Sequence, residues 1–214
     1  MSRLQKIAAV VFVLTGLLVS ISNADRLILI PTGKTLSTGG IKAEYLSKFD
    51  DEGKAYLANI GIMRLEIEAA KFQDFAVGDD PISIGAQISI LPETTFTPSL
   101  AVGVRDVGNE TSQLNSLYGG RSYYVAASKR VPITGGIPLL FQDVTLHGGF
   151  GTDSLSGVFF GIEGTLPMGI RINGEYDTED VNVALQYQII PTIKADIALI
   201  KGDLYYGALF STSF

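Results

Sequence analysis

Apolar and polar residues alternate along most of this 214-residue chain. Residues 82–90 read Ile-Ser-Ile-Gly-Ala-Gln-Ile-Ser-Ile, so apolar and polar side chains fall on opposite faces of an extended segment. Similar alternation occurs at 170–176, 181–189 and 193–199. Alternation sustained over several residues predicts β-strands with two different faces.

The whole pattern predicts twelve strands joined by hairpins and loops, and no helix beyond the N-terminus. Long alternating segments separated by turns are typical of an antiparallel transmembrane β-barrel. The alternative is a secreted β-sandwich, whose strands average about five or six residues and whose outer face carries more charge. The predicted strands lie near 39–49, 54–62, 64–73, 81–91, 97–106, 121–130, 143–151, 156–165, 168–176, 180–189, 192–200 and 203–213.

The polar faces of these strands also carry ionisable residues of both signs. Near the membrane midplane, a charged side chain facing lipid costs about 2–4 kcal/mol. We therefore expect these groups to face inward and to form a charged network in the lumen. They are Lys42, Glu44, Arg64, Glu66, Glu68, Arg105, His147, Glu163, Arg171, Glu175, Lys194 and Asp196.

The N-terminus has the features of a cleaved secretory signal peptide, residues 1–24. Arg3 and Lys6 precede an apolar core, and Ser22-Asn23-Ala24 supplies small residues at the cleavage site. A transmembrane anchor is the alternative, but the apolar core is shorter than the roughly 20 residues that a spanning helix needs.

The C-terminus suggests how a barrel would be assembled. Tyr206, Phe210 and the terminal Phe214 fall on one face of the last strand and resemble the signal recognised by barrel assembly machinery. An even strand number places both termini in the periplasm. The predicted organisation is a periplasmic segment at 25–38 followed by an outer-membrane barrel at 39–214, reached through the inner membrane of a Gram-negative bacterium.

Composition excludes several other classes. The chain is 46% hydrophobic and 18% charged, with mean hydropathy +0.29, which excludes a disordered protein. It has no Cys, which excludes a thiol nucleophile, a zinc–cysteine site and a lipid-anchored cysteine. Without the signal peptide the net charge is −8, so nucleic acid is not an expected partner. The expected partners are outer-membrane lipid, the assembly machinery and polysaccharide or export components.

Candidate chemistry is sparse. His147 is the single histidine, and no Gly-x-Ser-x-Gly motif accompanies it, so a lipase-like hydrolase is the third hypothesis. Carboxylates on shared faces, as at Glu66 and Glu68, suit glycoside cleavage, but ion pairing explains them more simply. The acidic turn at 177–180 lacks the glycine and spacing of a calcium loop. We predict no catalytic, cofactor or metal residue.

Three blocks of sequence resemble the YjbH family of outer-membrane proteins, which is associated with exopolysaccharide production. The blocks are Ile30-Pro31-Thr32-Gly33 with Gly39-Gly40 and Tyr45; 98–108 with 123–130; and 161–164 with 174–177. The chain is much shorter than typical members and lacks the lipoprotein cysteine. The resemblance implies a single compact barrel in the outer membrane.

The sequence thus predicts a non-enzymatic barrel with a structural or transport role connected with exopolysaccharide or cell-surface biogenesis. The alternative is a narrow passive pore for small solutes, since twelve strands lie between the filled eight-stranded barrels and the water-filled porins.

Overall fold

A computed structural model describes residues 26–50, 53–75, 80–112, 117–131 and 141–212. The predicted signal peptide and the terminal Phe214 lie outside these ranges. The structure contains twelve strands: β1 (Ile41–Lys48), β2 (Lys54–Ile62), β3 (Leu65–Gln73), β4 (Ile82–Leu91), β5 (Ser99–Arg105), β6 (Ser122–Val131), β7 (Asp143–Gly151), β8 (Gly157–Thr165), β9 (Ile170–Tyr176), β10 (Val181–Ile190), β11 (Ile193–Ile200) and β12 (Asp203–Thr212).

The strands form a closed antiparallel barrel. Each strand pairs with its neighbours in the chain, and β1 closes the sheet against β12, from Ile41 opposite Thr212 to Lys48 opposite Tyr205. Closure leaves no unpaired sheet edge, which a lipid environment requires. The predicted fold class is therefore confirmed, and strand limits differ from the expected ones by at most two residues.

The connections define two ends of the barrel. The terminal end holds the first residue of β1 and the last residue of β12, together with the β2–β3, β4–β5, β6–β7, β8–β9 and β10–β11 connections. The loop end holds the other connections, of which the β5–β6 loop is the longest. Helical structure in the described ranges consists of two 3-10 turns, 153–155 and 167–169, and no helix there has the length and apolar character to cross a bilayer.

The outer surface is apolar along most strands. Ile84 in β4, Phe150 in β7 and Ile197 in β11 are about half exposed, although each lies within a paired strand. Such a band would be unstable against water but suits the hydrocarbon region of a membrane. The alternation seen in the sequence thus separates an outward apolar face from an inward face.

Aromatic side chains fill the lumen near the loop end. The rings of Phe72 and Tyr118 pack edge to face with centroids 5.1 Å apart, and Phe75 stacks on Tyr205 at 6.4 Å. Phe72, Tyr118 and Tyr205 are buried, and Tyr118 comes from the β5–β6 loop, which folds inward. The loop-end half of the lumen is therefore packed with side chains.

A segment of the chain that belongs to no strand also lies in the lumen. We call residues 26–37 the inner segment. Its chain reverses at 27–30, where the Leu27 N–H donates to the Ile30 carbonyl at 2.9 Å, and Ile30 is fully buried. The sequence predicted 25–38 as a periplasmic N-terminal segment. Its described part lies inside the barrel, where wall side chains satisfy its backbone.

Candidate functional site

The lumen gathers the predicted ionisable residues. All of them except Arg64 lie at inward positions of their strands and are buried or partly buried. Arg64 is exposed in the two-residue β2–β3 turn, where Met63 adopts a positive φ of 57°. Arg64 and Glu66 alternate in the sequence as residues of one strand would. Arg64 instead belongs to the turn and does not lie on the inward face.

Glu175 near the loop end of β9 holds the tip of the inner segment. Its carboxylate accepts three consecutive backbone N–H groups, from Ile28 at 2.9 Å, Leu29 at 2.7 Å and Ile30 at 3.2 Å. Asn182 on β10 adds a side-chain N–H at 3.1 Å. Backbone amides of an irregular buried segment need such partners. The Glu175 carboxylate is therefore bound by the backbone N–H groups of the tip.

Arginine side chains and Tyr118 surround the other side of the tip. The Arg105 guanidinium donates to the Leu29 carbonyl and lies 4.4 Å from the Tyr118 ring centre. Arg26, within the inner segment, donates to the Tyr118 hydroxyl at 2.6 Å and forms an ion pair with Glu44 of β1 at 2.5 Å. These contacts connect the inner segment to β1, to β5 and to the β5–β6 loop.

Three further wall side chains bind the backbone of the inner segment toward the terminal end. Each bond joins a polar side chain of a strand to a peptide group, so none depends on the side chain of the inner segment. Gln87 donates to the Lys34 carbonyl at 2.5 Å, Ser128 accepts the Gly33 N–H at 2.8 Å, and Glu66 accepts the Leu36 N–H at 2.6 Å.

Glycines in the wall make room for the inner segment. A Cβ atom at Gly161 of β8 would lie 2.5 Å from Leu27 Cδ2 and 3.0 Å from Ile30 Cδ1. A Cβ at Gly61 of β2 would collide with the Ser37 carbonyl oxygen. Glycine in a strand often marks such close approach. These positions use part of the chain's high glycine content, 24 residues, or about 11% against a usual 7%.

Several charges pair with one another as the sequence suggested. Arg171 and Glu163, on neighbouring strands, lie 3.3 Å apart, and Lys42 lies 3.9 Å from Glu44. Glu44 thus sits between Lys42 and Arg26. Lys194 and Asp196 on β11 are buried in the same inward layer. A lumen of mixed sign favours neither cations nor anions as strongly as a single-sign lumen would.

A small cavity lies beside the inner segment. It has a volume of about 30 Å³ and is lined in part by Arg26, Glu66, Gln87, Arg105 and Tyr118. That volume is enough to hold water. The inner segment lies in the lumen beside this cavity.

At the terminal-end rim, Glu93 of the β4–β5 connection anchors the inner segment. It forms ion pairs with Lys34 at 3.2 Å and Lys129 at 3.7 Å and accepts the Arg130 backbone N–H at 2.6 Å. Partial burial acts to raise the pKa of Glu93, but this hydrogen bond and the two lysines outweigh it and hold the pKa below its usual value.

Other predicted chemical groups have structural partners. His147 Nδ1 shares a hydrogen bond of 2.8 Å with the Ser128 hydroxyl, which also binds Gly33. Among the described contacts, no carboxylate orients the imidazole as a hydrolase triad would require. The Asp177 carboxylate accepts the Asp180 N–H at 2.8 Å and so closes its own turn. No cluster of potential metal ligands occurs in the ranges that the structure describes.

Sequence reasoning missed the inner segment and its uncharged partners. Gln87 and Ser128 lie on polar strand faces without distinguishing features, and Tyr118 lies in a loop. A run such as Leu27-Ile28-Leu29-Ile30, close to Pro31, could have indicated a buried non-strand segment, because proline cannot donate to a central ladder.

Comparison with known proteins supports the architecture. No protein-family model matches the chain, and no curated protein sequence matches it. Among solved structures, the KdgM porin in complex with disordered oligogalacturonate is similar at TM-score 0.50 and 13% identity, covering 82% of this chain and 99% of that one. A second KdgM porin structure has TM-score 0.49, 14% identity and the same coverage. The chain thus has the fold of a porin-type β-barrel.

Proposed function

We propose that this protein is an outer-membrane porin-type barrel that forms a narrow passage for small solutes, closed at rest by its inner segment. The observation that carries the proposal is a segment outside the barrel ladder lying within the lumen of a closed, outwardly apolar barrel. Outer-membrane lipid is the matching environment, and Tyr206 and Phe210 of the proposed assembly signal lie on the outward face.

The inner segment is built to separate from the wall without disrupting it. Its tip is held by side chains, chiefly Glu175 and Arg105, whereas the strands hold one another through backbone ladders. Release of the tip therefore breaks a handful of side-chain contacts and leaves the sheet closed. The solute path would pass where Leu27 and Ile30 now lie.

Single-channel recording in planar bilayers tests the proposal. Because the chain has no Cys, the pair Leu27→Cys and Gly161→Cys provides one defined cross-link between the inner segment and β8. Conductance should be lowest for the oxidised pair, higher for the reduced pair and highest for Glu175→Ala. The two single-cysteine variants are the controls, since oxidation should leave their conductance unchanged.

Heat-modifiable migration in detergent establishes that each variant is folded before recording. A folded Glu175→Ala barrel with a released inner segment that still conducts no ions would overturn the passage. If the reduced double-cysteine variant conducts and oxidation leaves its conductance unchanged, the inner segment does not control the passage.

We also propose, as a second function, a role connected with exopolysaccharide, supported by the YjbH resemblance. The three resembling blocks contain part of the inner segment, at 30–33, and four residues that contact it: Arg105, Ser128, Gly161 and Glu175. Deletion of the gene should then change the amount or composition of surface polymer. An unchanged polymer would contradict this role and leave the passage standing.

A further inference from the structure

We propose that the lumen wall is a binding site for a peptide with a turn at its tip, which the inner segment fills in cis. The inference rests on the placement of the inner segment within the proposed barrel and not on conduction. Its ligand class is a polypeptide, recognised mainly through backbone N–H and C=O groups.

The contacts show backbone recognition. The wall binds peptide groups of the inner segment at six positions between Ile28 and Leu36. Glu175 and Glu66 supply charged acceptors, and hydrogen bonds to charged groups are stronger than those between neutral groups. Because these bonds are made to the main chain, the wall would hold a peptide that makes the same turn and presents donors and acceptors in the same order.

Side chains add direction and limited selectivity. The notch at Gly161 takes the apolar Leu27 and Ile30, while acidic Glu44 and Glu93 bind the basic Arg26 and Lys34. A peptide with an apolar centre between two basic residues therefore matches the site. A peptide with acidic residues at those two positions would meet like charges.

The junction with β1 leaves the inner segment replaceable. Thr38 and Gly39 are exposed and link the inner segment to the strand, and Gly39 adopts a positive φ of 78°. The ladder of β1 begins only at Ile41. A cut between Thr38 and Gly39 would therefore free the inner segment without removing a residue from the barrel strands.

The experiment uses the full chain with a protease site inserted between Thr38 and Gly39. After cutting and washing in detergent, a fluorescent peptide of residues 26–37 is titrated and its anisotropy is measured. We expect saturable one-to-one binding to the cut barrel and at least tenfold weaker binding to the uncut barrel. Equal binding to both would place the peptide elsewhere and overturn the proposal.

Chemically matched peptides separate backbone from side-chain recognition. N-methylation of Leu29 removes the donor that reaches Glu175 at 2.7 Å and should weaken binding about tenfold or more. N-methylation of Thr35, whose amide takes no part in these wall contacts, is the control and should change affinity little. Binding insensitive to methylation at Leu29, or as tight for a scrambled peptide, would overturn the proposal.

A second variant tests the proposal in case the cut chain does not stay folded. In the uncut chain, Leu27→Ala weakens the contact of the inner segment with Gly161 while leaving the wall intact. This variant should bind the peptide more tightly than the native chain, and unchanged affinity would count against exchange in the lumen. Conductance is measured separately, so peptide binding without conduction would refute the passage and retain the peptide site.

Discussion

The strands and the inner segment use the same apolar residues in different ways. In β4, Ile82, Ile84 and Ile88 point outward, and the backbone bonds to β3 and β5. In the inner segment, the apolar run at 27–30 points into the lumen, and its backbone bonds to side chains. The backbone partner, and not the hydrophobicity, distinguishes the two regions.

The inner segment should therefore be able to open while the barrel wall stays folded. Ladder bonds are shared between neighbouring strands around a closed sheet, so the wall responds as one unit. The inner segment has discrete anchors and should open locally at a lower free energy than the barrel. Four predictions test this separation, beginning with the largest expected effect.

A charge on the outward face should destabilise the wall. Ile197→Arg places a cation at the middle of β11 facing lipid, which costs about 2–4 kcal/mol at the midplane. Denaturant titration of the barrel folded in liposomes measures this loss. Met63→Arg, in the exposed β2–β3 turn, is the control and should change stability little; equal losses would show that Ile197 does not face lipid.

Loss of Glu175 should release the tip of the inner segment and leave the wall closed. In Glu175→Ala three buried N–H groups lose a charged acceptor. The loss of about 1.5–3 kcal/mol per bond should speed hydrogen exchange at 28–30 by at least about tenfold. Glu163→Ala, which loses only the Arg171 pair among the contacts described above, is the matched control. Exchange unchanged at 28–30 would contradict the anchor.

Filling the glycine notch should strain the same contact sterically. Gly161→Ala introduces a Cβ about 2.5 Å from Leu27 Cδ2, and overpacking of this kind costs about 1–3 kcal/mol. Leu27→Ala should restore the close fit in the double variant. At Gly148 a Cβ would meet its nearest atom at 3.6 Å, so Gly148→Ala is a tolerated control. A double-mutant cycle without coupling would contradict contact between these residues.

Acid should loosen the rim anchor slightly. The pKa of Glu93 is lowered in the folded protein, so its contribution to stability is present above the unfolded value of 4.5 and is lost as the pH falls through the folded value. Partly exposed ion pairs contribute about 1 kcal/mol or less. Protection factors for hydrogen exchange near Lys34, which correct for the slower intrinsic exchange in acid, should decrease below about pH 4.5 in the native chain, and Glu93→Gln should remove this dependence. If the pH dependence persists in Glu93→Gln, another titrating group causes it.

The wall could be predicted from sequence because its rule is local. Each outward residue is separated from the next by one inward residue, so alternation alone located every strand and the inward face of Glu66 and Glu175. Arg64 continued the same alternation but lies in the turn. A two-residue turn next to a strand does not interrupt the alternation of apolar and polar residues. The first residue of β3 is set by pairing with β2, which the alternation does not show.

The partners of the lumen residues could not be predicted in the same way. Inward charges suggested mutual ion pairs, which Arg171 and Glu163 form. Glu175 and Arg105 instead bind the backbone of residues more than 70 positions away, at the opposite end of the chain for Glu175. Backbone groups are present at every residue, so no side-chain pattern marks them as ligands.

The sequence by itself determined a twelve-stranded barrel with apolar residues outside and charged residues inside, because a period of two encodes the two faces of a strand. Only the tertiary structure decided what occupies the lumen. Barrel closure brings β3, β5, β6 and β9 around one space, and their polar side chains together satisfy a backbone that forms no barrel strand. These partners allow the apolar run at 27–30 to lie in the lumen as part of the inner segment.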